Sequence, residues 1–251
     1  MSSLEKALNI LKILGEKPYE WGVTAIAQRV GIGKSGAYKL LSDLETSGMV
    51  MQKKNKNYCL GPVTYLLGTI YEKHVGIYRF CRPYLQRMRD LSNENASLGM
   101  WIDGEVRMIA REECHQIIRV AGSVGSGRPF YASAIGKTLG AFGDQDFIRK
   151  KIMETKFEKF TEHTITSPND LLAEFEKIRK AGYAISDEEY SVGAVGVGAP
   201  ILSPSGHAWA AISIGAPKTR VTPEKLDQMV YLVKETARQI SEELNGRELK
   251  Q

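Results

Sequence analysis

Residues 21–61, WGVTAIAQRVGIGKSGAYKLLSDLETSGMVMQKKNKNYCLG, decide the fold, because they contain the signals for two short helices, a tight turn and a basic β-hairpin. We predict that the first helix begins at Thr24, whose hydroxyl would serve as its N-cap. Gly31 and Gly33 would then supply the sharp turn, since glycine tolerates unusual backbone angles. This order of elements is typical of a winged helix-turn-helix.

The second helix of this pair is predicted from Lys34 to Thr46, with one apolar stripe and one polar face. The polar face would enter the major groove of DNA. Gly48 would end the helix, and residues 49–51 and 58–60 would pair as a hairpin that carries several lysines. The residues expected to contact DNA are Thr24, Lys34, Ser35, Tyr38, Lys39, Ser42, Lys53 and Lys54.

The positive charge of the chain is concentrated in this region. Residues 1–61 contain nine Lys or Arg and five Asp or Glu, a net charge of +4 out of +5 for the whole chain. A cationic surface confined to a groove-reading segment fits the neutralisation of phosphates. The alternative is a small helical domain with a solvated basic face.

Length and cysteine content restrict the class of protein. A chain of 251 residues allows two unequal domains. Cys59, Cys81 and Cys114 have no metal or disulfide spacing, so we expect a reducing, cytoplasmic location without metal or cofactor. No apolar run reaches the roughly 18 residues that would span a bilayer, and we expect no membrane partner.

Two further helices flank the predicted DNA-binding elements. A leading helix would bury a stripe of Leu4, Leu8, Leu11 and Leu14 under the helix-turn-helix. A helix over 63–73 has apolar residues wider than one stripe, which favours packing against a partner subunit. We therefore divide the chain into a winged helix-turn-helix domain (1–61), a linker helix (62–76) and a larger domain (77–251).

The larger domain has the pattern of an α+β fold with an antiparallel sheet. A helix is expected through residues 85–91, and Asp103-Gly104 is a strong hairpin turn. Strands are predicted at 97–103, 105–111, 116–120, 183–187, 195–202 and 207–214, and helices at 133–142, 146–153, 168–181 and 223–244.

Four strings, in this order and spacing, carry a resemblance to a known family: SLEKALNILKIL (3–14), RPFYASAIGKTLGAF (128–142), GYAISDEEYSVGAVGVGAPI (182–201) and AAISIGAP (210–217). Together with the winged helix-turn-helix, they resemble the IclR family of bacterial transcriptional regulators. The resemblance implies a C-terminal effector-binding domain related to the GAF fold, which binds a small metabolite, frequently an organic acid. It also implies dimers formed through the DNA-binding part, and often tetramers. Repressors and activators both occur in the family.

The same resemblance implies which residues surround the effector. Where relatives that bind small keto acids have a carboxylate, a cysteine and a serine, this chain has Ser186, Gly196 and Gly215. These smaller residues predict a roomier, less polar pocket and an acid larger than glyoxylate or pyruvate. A helix is predicted to begin at residues 133–136, and the unpaired backbone amides and the dipole at its N-terminus would suit a carboxylate. The residues implied at this site are Ala134, Ile135, Ser186, Ala194, Gly196, Ser213 and Gly215.

Two positions of the recognition helix depart from the family pattern. Lys39 stands where arginine is usual, and lysine cannot grip guanine through two parallel hydrogen bonds. Gly36 replaces a hydroxyl residue. The lysine predicts less selective base readout at its position, and the glycine predicts the loss of one phosphate or base contact.

Several motifs resemble other sites. Residues 33–35 and 136–138 imitate the end of a phosphate-binding loop but lack its leading glycine. The glycine-rich stretch 122–127 could cradle an anion, although a mobile loop over the pocket mouth is favoured. The acids at 187–189 are expected in turn and salt-bridge roles, because no nucleophile or base accompanies them.

A ligand-responsive transcription factor is thus the favoured function. The main alternative is a small-molecule enzyme that carries a DNA-binding appendage. It is disfavoured because the pocket strings lack a histidine or a positioned carboxylate pair. An architectural DNA binder without a ligand would leave about two-thirds of the chain without a task.

Overall fold

The computed structural model describes residues 1–74 and 76–248. The chain divides into two compact units, Met1–Gly76 and Ile77–Gln251.

The first unit is a winged helix-turn-helix. Its core is formed by side chains such as Ile10, Ile26 and Leu41, each with no exposed surface. The hairpin pairs Val50 with Leu60 in antiparallel register. The elements are α1 (Ser3–Leu14), α2 (Val23–Val30), α3 (Lys34–Thr46), β1 (Val50–Gln52), β2 (Tyr58–Leu60) and α4 (Pro62–His74).

The predicted N-cap of α2 is wrong. Gly22, not Thr24, is the N-cap, and α2 already begins at Val23. The reason is a β-bridge in which Trp21 and Tyr58 exchange backbone hydrogen bonds of 2.9 and 2.8 Å. This bridge fixes the chain directly before Gly22, so the N-cap lies two residues before Thr24, the position that side-chain capping favours.

The predicted buried stripe of α1 is also wrong in its first half. Leu4 and Leu8 are 69% and 49% exposed, whereas Ile10, Ile13 and Leu14 are buried. Only the C-terminal half of α1 packs on α2 and α3. The first turns of α1 therefore present an apolar surface to the outside of this unit.

The second unit is an α+β domain whose five antiparallel strands are ordered β4-β3-β7-β6-β5. One face of the sheet packs on α5 and α9, and the other face packs on α6, which in turn contacts α8. The elements are α5 (Ile77–Ser92), β3 (Asn95–Ile102), β4 (Glu105–Glu112), α6 (Ala134–Ala141), α7 (Gln145–Glu154), α8 (Pro168–Ala181), β5 (Ala184–Asp187), β6 (Ala194–Leu202), β7 (Ala208–Pro217) and α9 (Pro223–Glu248).

The connection between β4 and α6 differs from the prediction. Residues 116–120 form no strand. The Asn95 side chain forms hydrogen bonds with the backbone near both ends of this segment. It accepts from the Cys114 amide at 2.8 Å and donates to the Val120 carbonyl at 3.0 Å. Side-chain hydrogen bonds of this kind replace the ladder that a strand would need.

The glycine-rich stretch 122–127 is anchored rather than loose over a pocket. The Gly125 amide donates to the Met108 carbonyl at 2.7 Å, and the Met108 amide donates to the Ser126 carbonyl at 3.0 Å. The Arg128 amide then donates to the Val106 carbonyl at 2.8 Å. The stretch thus follows the outer edge of β4.

Within the described residues, no helix is long and apolar enough to cross a membrane.

Candidate functional site

The recognition helix α3 has one buried and one exposed face. Ala37 and Leu41 are fully buried, and Tyr38 is 47% exposed. Gly31 adopts a left-handed conformation that ends α2 and starts the turn. The structure places the five residues predicted on the outer face of this helix in exposed positions: Lys34, Ser35, Tyr38, Lys39 and Ser42.

The N-terminus of α3 is open to an anion. Its N-cap is Gly33, and no side chain caps it. The first amides of a helix have no intrahelical partner and lie at the positive end of the helix dipole. Thr24 lies exposed in the first turn of α2, which also has no side-chain cap. Both helix ends are suited to contact a phosphate backbone.

The lysines of the wing differ in their ion pairing. Lys53 forms an ion pair of 2.8 Å with Glu20. A hydrogen bond from Lys53, together with its charge, lowers the pKa of Glu20, and the same contact raises the pKa of Lys53. Lys54 and Lys56 are exposed and form no ion pair with any described residue. The charge of Lys53 is therefore already paired with a carboxylate, whereas the charge of Lys54 is not paired within the described residues.

A second candidate site lies in the larger unit, on the face of the sheet that packs on α6. Direct cross-strand pairing places Ser186, Gly196, Gly215 and Asn95 in one row across β5, β6, β7 and β3. Opposite residues of paired strands point to the same face of a sheet. The predicted effector residues of three strands are thus neighbours.

A second row on the same face lies two residues further along the strands. It joins Ser213 of β7 to Ser97 of β3 and to Arg111 of β4. Ser213 and Ser97 are 8% and 5% exposed, and neither hydroxyl makes a hydrogen bond with a described residue. Ala194 lies two residues before Gly196 on the same face of β6.

The N-terminus of α6 sits on this polar face. A Cβ atom added to Gly196 would lie 3.1 Å from the Ala134 Cβ. Ser133 caps α6 by accepting the Gly136 amide at 3.0 Å, and the amides of Ala134 and Ile135 have no intrahelical partner. These two amides are therefore hydrogen-bond donors that the helix itself leaves without a partner.

The predicted effector residues have different surroundings. The Ser186 hydroxyl donates to the Ala132 carbonyl at 2.6 Å, so it holds the segment before α6. Ile135 packs directly over Gly99 and belongs to the apolar core. A Cβ at Gly215 would meet no atom within 4 Å, so this position borders open space.

Sequence reasoning missed two arginines beside this face. The Arg111 side chain is 6% exposed, and its Nε has no hydrogen-bond partner among the described residues. Its nearest carboxylate, Glu113, is half exposed and 3.5 Å away. In the described part of the chain the Arg128 Nε also has no hydrogen-bond partner, and the guanidinium lies 5.7 Å from the centre of the Tyr190 ring.

The electrostatics of both arginines are unfavourable. Burial lowers the pKa of Arg111, and neighbouring Arg128 lowers it further, although Glu113 opposes this. Burial also lowers the pKa of Arg128, against a raising effect of Tyr190. Because a guanidinium stays protonated in proteins, both groups remain charged in a poorly solvated place.

Lys137, from one of the phosphate-loop imitations, has a different role. Its side chain is 1% exposed and forms ion pairs with Glu189 at 2.7 Å and Glu174 at 2.9 Å. Burial raises the pKa of Glu189, and Lys137 acts in the opposite direction. Lys137 thus links α6, α8 and the segment after β5, and it is not open to a phosphate.

Two other kinds of site could serve a function, a metal site and a separate cleft in the larger unit. Among the described residues, no three His, Cys, Asp or Glu side chains are grouped so that they could hold a metal. A cleft of about 300 Å³ is lined by Trp101, Arg128, Tyr131 and Tyr190 among others, and it borders the candidate site at Arg128. None of the seven predicted effector residues lines this cleft.

Two family models match the chain. The model described as "IclR helix-turn-helix domain" matches residues 3–54, and the model described as "Bacterial transcriptional regulator IclR C-terminal" matches residues 69–242. The HTH-type transcriptional regulator BhcR of Paracoccus denitrificans is 30% identical over 240 residues, which cover 95% of this chain and 86% of that protein.

Solved structures agree with the fold. An IclR-type regulator from Silicibacter sp. TM1040 superposes with a TM-score of 0.90 at 22% identity, covering 97% of this chain and 96% of that one. An IclR homologue of Microbacterium hydrocarbonoxydans in complex with 4-hydroxybenzoate superposes with a TM-score of 0.82 at 20% identity, covering 98% and 100%.

Proposed function

Because the chain belongs to the IclR family of bacterial transcriptional regulators, we propose that it controls a catabolic operon and that a small organic acid is its effector. The family consists of DNA-binding regulators rather than enzymes. The observation that carries the proposal is a polar, partly open sheet face against the N-terminus of α6, in the same chain as an exposed recognition helix.

For DNA, the proposed contacts are the outer face of α3, the free helix N-termini and the wing. Lys34 and Lys39 are exposed cations on α3, and Lys54 extends the positive surface to the hairpin. Phosphate contacts from these groups would fix the register, and Ser35, Tyr38 and Ser42 would reach base edges or sugars.

For the effector, the proposed carboxylate partners are the amides of Ala134 and Ile135, with the Ser213 hydroxyl beside them. Open space next to Gly215 supports an acid larger than glyoxylate or pyruvate. The ligand 4-hydroxybenzoate in the Microbacterium relative supports an acid of this larger size.

We also propose a homodimer, and a tetramer formed from two dimers. Leu66, Leu67, Ile70 and Tyr71 of α4 are each about half exposed or more, and Leu4 of α1 is 69% exposed. Apolar surfaces of this extent are typical of subunit contacts. A dimer also presents two recognition helices to two half-sites. Acting on operator DNA would place the protein in the cytoplasm.

A thermal-shift screen tests the effector proposal first. Purified protein is melted with a panel of sugar acids, aromatic acids and aliphatic acids, because a ligand that binds the folded state raises the melting temperature. We expect a hit among acids of four or more carbons. Tight calorimetric binding of a two- or three-carbon acid would contradict the proposed pocket size.

A further inference from the structure

Two arginine side chains converge on one glycine beside the polar sheet face. A Cβ added to Gly122 would clash with the Arg128 Nη2 and would lie 2.6 Å from the Arg111 Nη1. Both guanidinium groups therefore border the same small volume, and only the missing side chain of Gly122 leaves room for them. Arg128 reaches this point from the start of the segment that leads into α6.

The protein supplies little negative charge to this pair. Arg128 forms no ion pair with any described residue, and Arg111 has only the long contact to the half-exposed Glu113. Its other polar partner is the Val120 carbonyl. Like charges buried without a counter-ion are strongly unfavourable, and an arginine fork is the best protein partner for a carboxylate or phosphate.

The pair lies at one end of the proposed effector site. Arg111 shares its cross-strand row with Ser97 and Ser213, and the Arg128 guanidinium lies 5.7 Å from the centre of the Tyr190 ring. Three strand spacings, roughly 14 Å, separate the backbone of Arg111 on β4 from that of β6, where Ala134 sits over Gly196. The site thus has donors for an anion at both ends.

We propose that Arg111 and Arg128 form an anion-binding subsite, and that the effector carries a second acidic group which this subsite binds. This inference rests on the proposed function, because it assigns a second end to the same ligand. One carboxylate would face the α6 amides and the other would face the guanidinium pair. The ligand class is therefore an extended dicarboxylate or a phosphorylated acid, rather than a monocarboxylate.

The test measures anion binding to the full-length protein without DNA. Calorimetry and thermal shift would compare adipate with hexanoate, which have equal chain length, and would include inorganic phosphate at millimolar concentration and fixed ionic strength. The variants are Arg128→Gln and Gly122→Ala. Gly122 has no positive φ, and an added methyl group would displace only the flexible ends of the two arginines. Arg107→Gln is the control for the stretch itself, because this arginine of β4 pairs with the exposed Glu105 and donates to the Gly125 carbonyl at 3.2 Å, so its loss would loosen residues 122–127 without removing a guanidinium of the pair.

We expect wild type and Arg107→Gln to bind adipate at least tenfold more tightly than hexanoate, and to be stabilised by phosphate. Arg128→Gln and Gly122→Ala should lose both effects. Without ligand, Arg128→Gln should melt no lower than wild type, because it removes one of two like charges; a purely structural arginine would lower the melting temperature instead.

Three results would overturn the subsite. They are equal binding of adipate and hexanoate by wild type, retention of the phosphate effect in both subsite variants, or an equal loss in Arg107→Gln. None of these three results would contradict the proposed function. The proposed function fails separately, if no ligand changes the affinity of the protein for DNA.

Discussion

Lysine side chains of the wing differ in how much each can contribute to DNA affinity, although in the sequence they form one basic cluster. Lys53 is held by Glu20, and Lys54 has no acidic partner in the described part of the chain. A lysine must leave its carboxylate before it can bind a phosphate, so its net contribution to DNA affinity is smaller. This difference depends on a contact between residues 33 positions apart, and no local pattern reveals it.

Replacement of these two lysines tests the difference. Lys54→Ala should weaken DNA binding and reduce the slope of log K against log salt by about 1, because one phosphate contact is lost. Lys53→Ala should change both quantities less. Fluorescence anisotropy at several salt concentrations measures them, with Lys156→Ala of the larger unit as a control. Equal losses for Lys53→Ala and Lys54→Ala would contradict the assignment.

Local sequence signals predict the helices and strands well where the signal and the packing agree. Asp103 and Gly104 both have positive φ angles, as their hairpin turn requires, and the Thr222 hydroxyl accepts the Lys225 amide at the start of α9, which was predicted over 223–244. The prediction fails where a distant contact decides. Trp21 and Tyr58 move the start of α2, and the Asn95 side chain replaces a strand at 116–120.

The candidate effector site shows the same limit. The family resemblance points to Ser186, Gly196, Ser213 and Gly215, and the strand register makes them neighbours. Arg111 and Arg128 were not predicted, because in sequence one is an ordinary strand residue and the other only precedes a proline. Their convergence depends on the register of β4 with β3 and on the path of residues 122–128.

The Lys137 side chain connects helix α6 to its neighbours through ion pairs. Replacement of this lysine should strongly destabilise the fold. Lys137→Met would leave the carboxylates of Glu174 and Glu189 without their shared cation, with an expected loss of about 3–5 kcal/mol in the free energy of unfolding. Urea denaturation measures this loss. Lys177→Met, which removes an exposed partner 3.9 Å from Glu174, should cost less than about 1 kcal/mol. Similar losses for both variants would argue against a buried ion-pair cluster.

Gly36 lies inside α3 without a contact that requires it. A Cβ there would meet no atom within 4 Å. Gly36→Ala should therefore stabilise the first unit by about 0.5–1 kcal/mol, because glycine loses more backbone entropy in a helix. Trp21 fluorescence during urea unfolding follows this unit once Trp101 and Trp209 are replaced by phenylalanine. A destabilised Gly36→Ala variant would show that the backbone of α3 needs glycine here.

For the whole molecule, the exposed apolar face of α4 sets the expected assembly. Leu66→Glu combined with Ile70→Glu should convert the proposed dimer to a monomer and weaken operator binding at least tenfold, because two half-sites would no longer be bound together. Sedimentation analysis and anisotropy measure the two effects. Met153→Glu, at an 83% exposed position of the other unit, is the control. A dimer that survives the double replacement would place the subunit contact elsewhere.

Regulation by an effector requires that ligand binding in the larger unit changes the affinity of the first unit for DNA. The direct measurement is the affinity of the full-length protein for DNA selected from the genome, with and without a saturating acid that raises its melting temperature. Coupling between two sites amounts to about 1–3 kcal/mol, so we expect a change of roughly 5- to 150-fold in DNA affinity. An acid that stabilises the protein strongly and leaves DNA affinity unchanged would contradict control of DNA binding by this ligand.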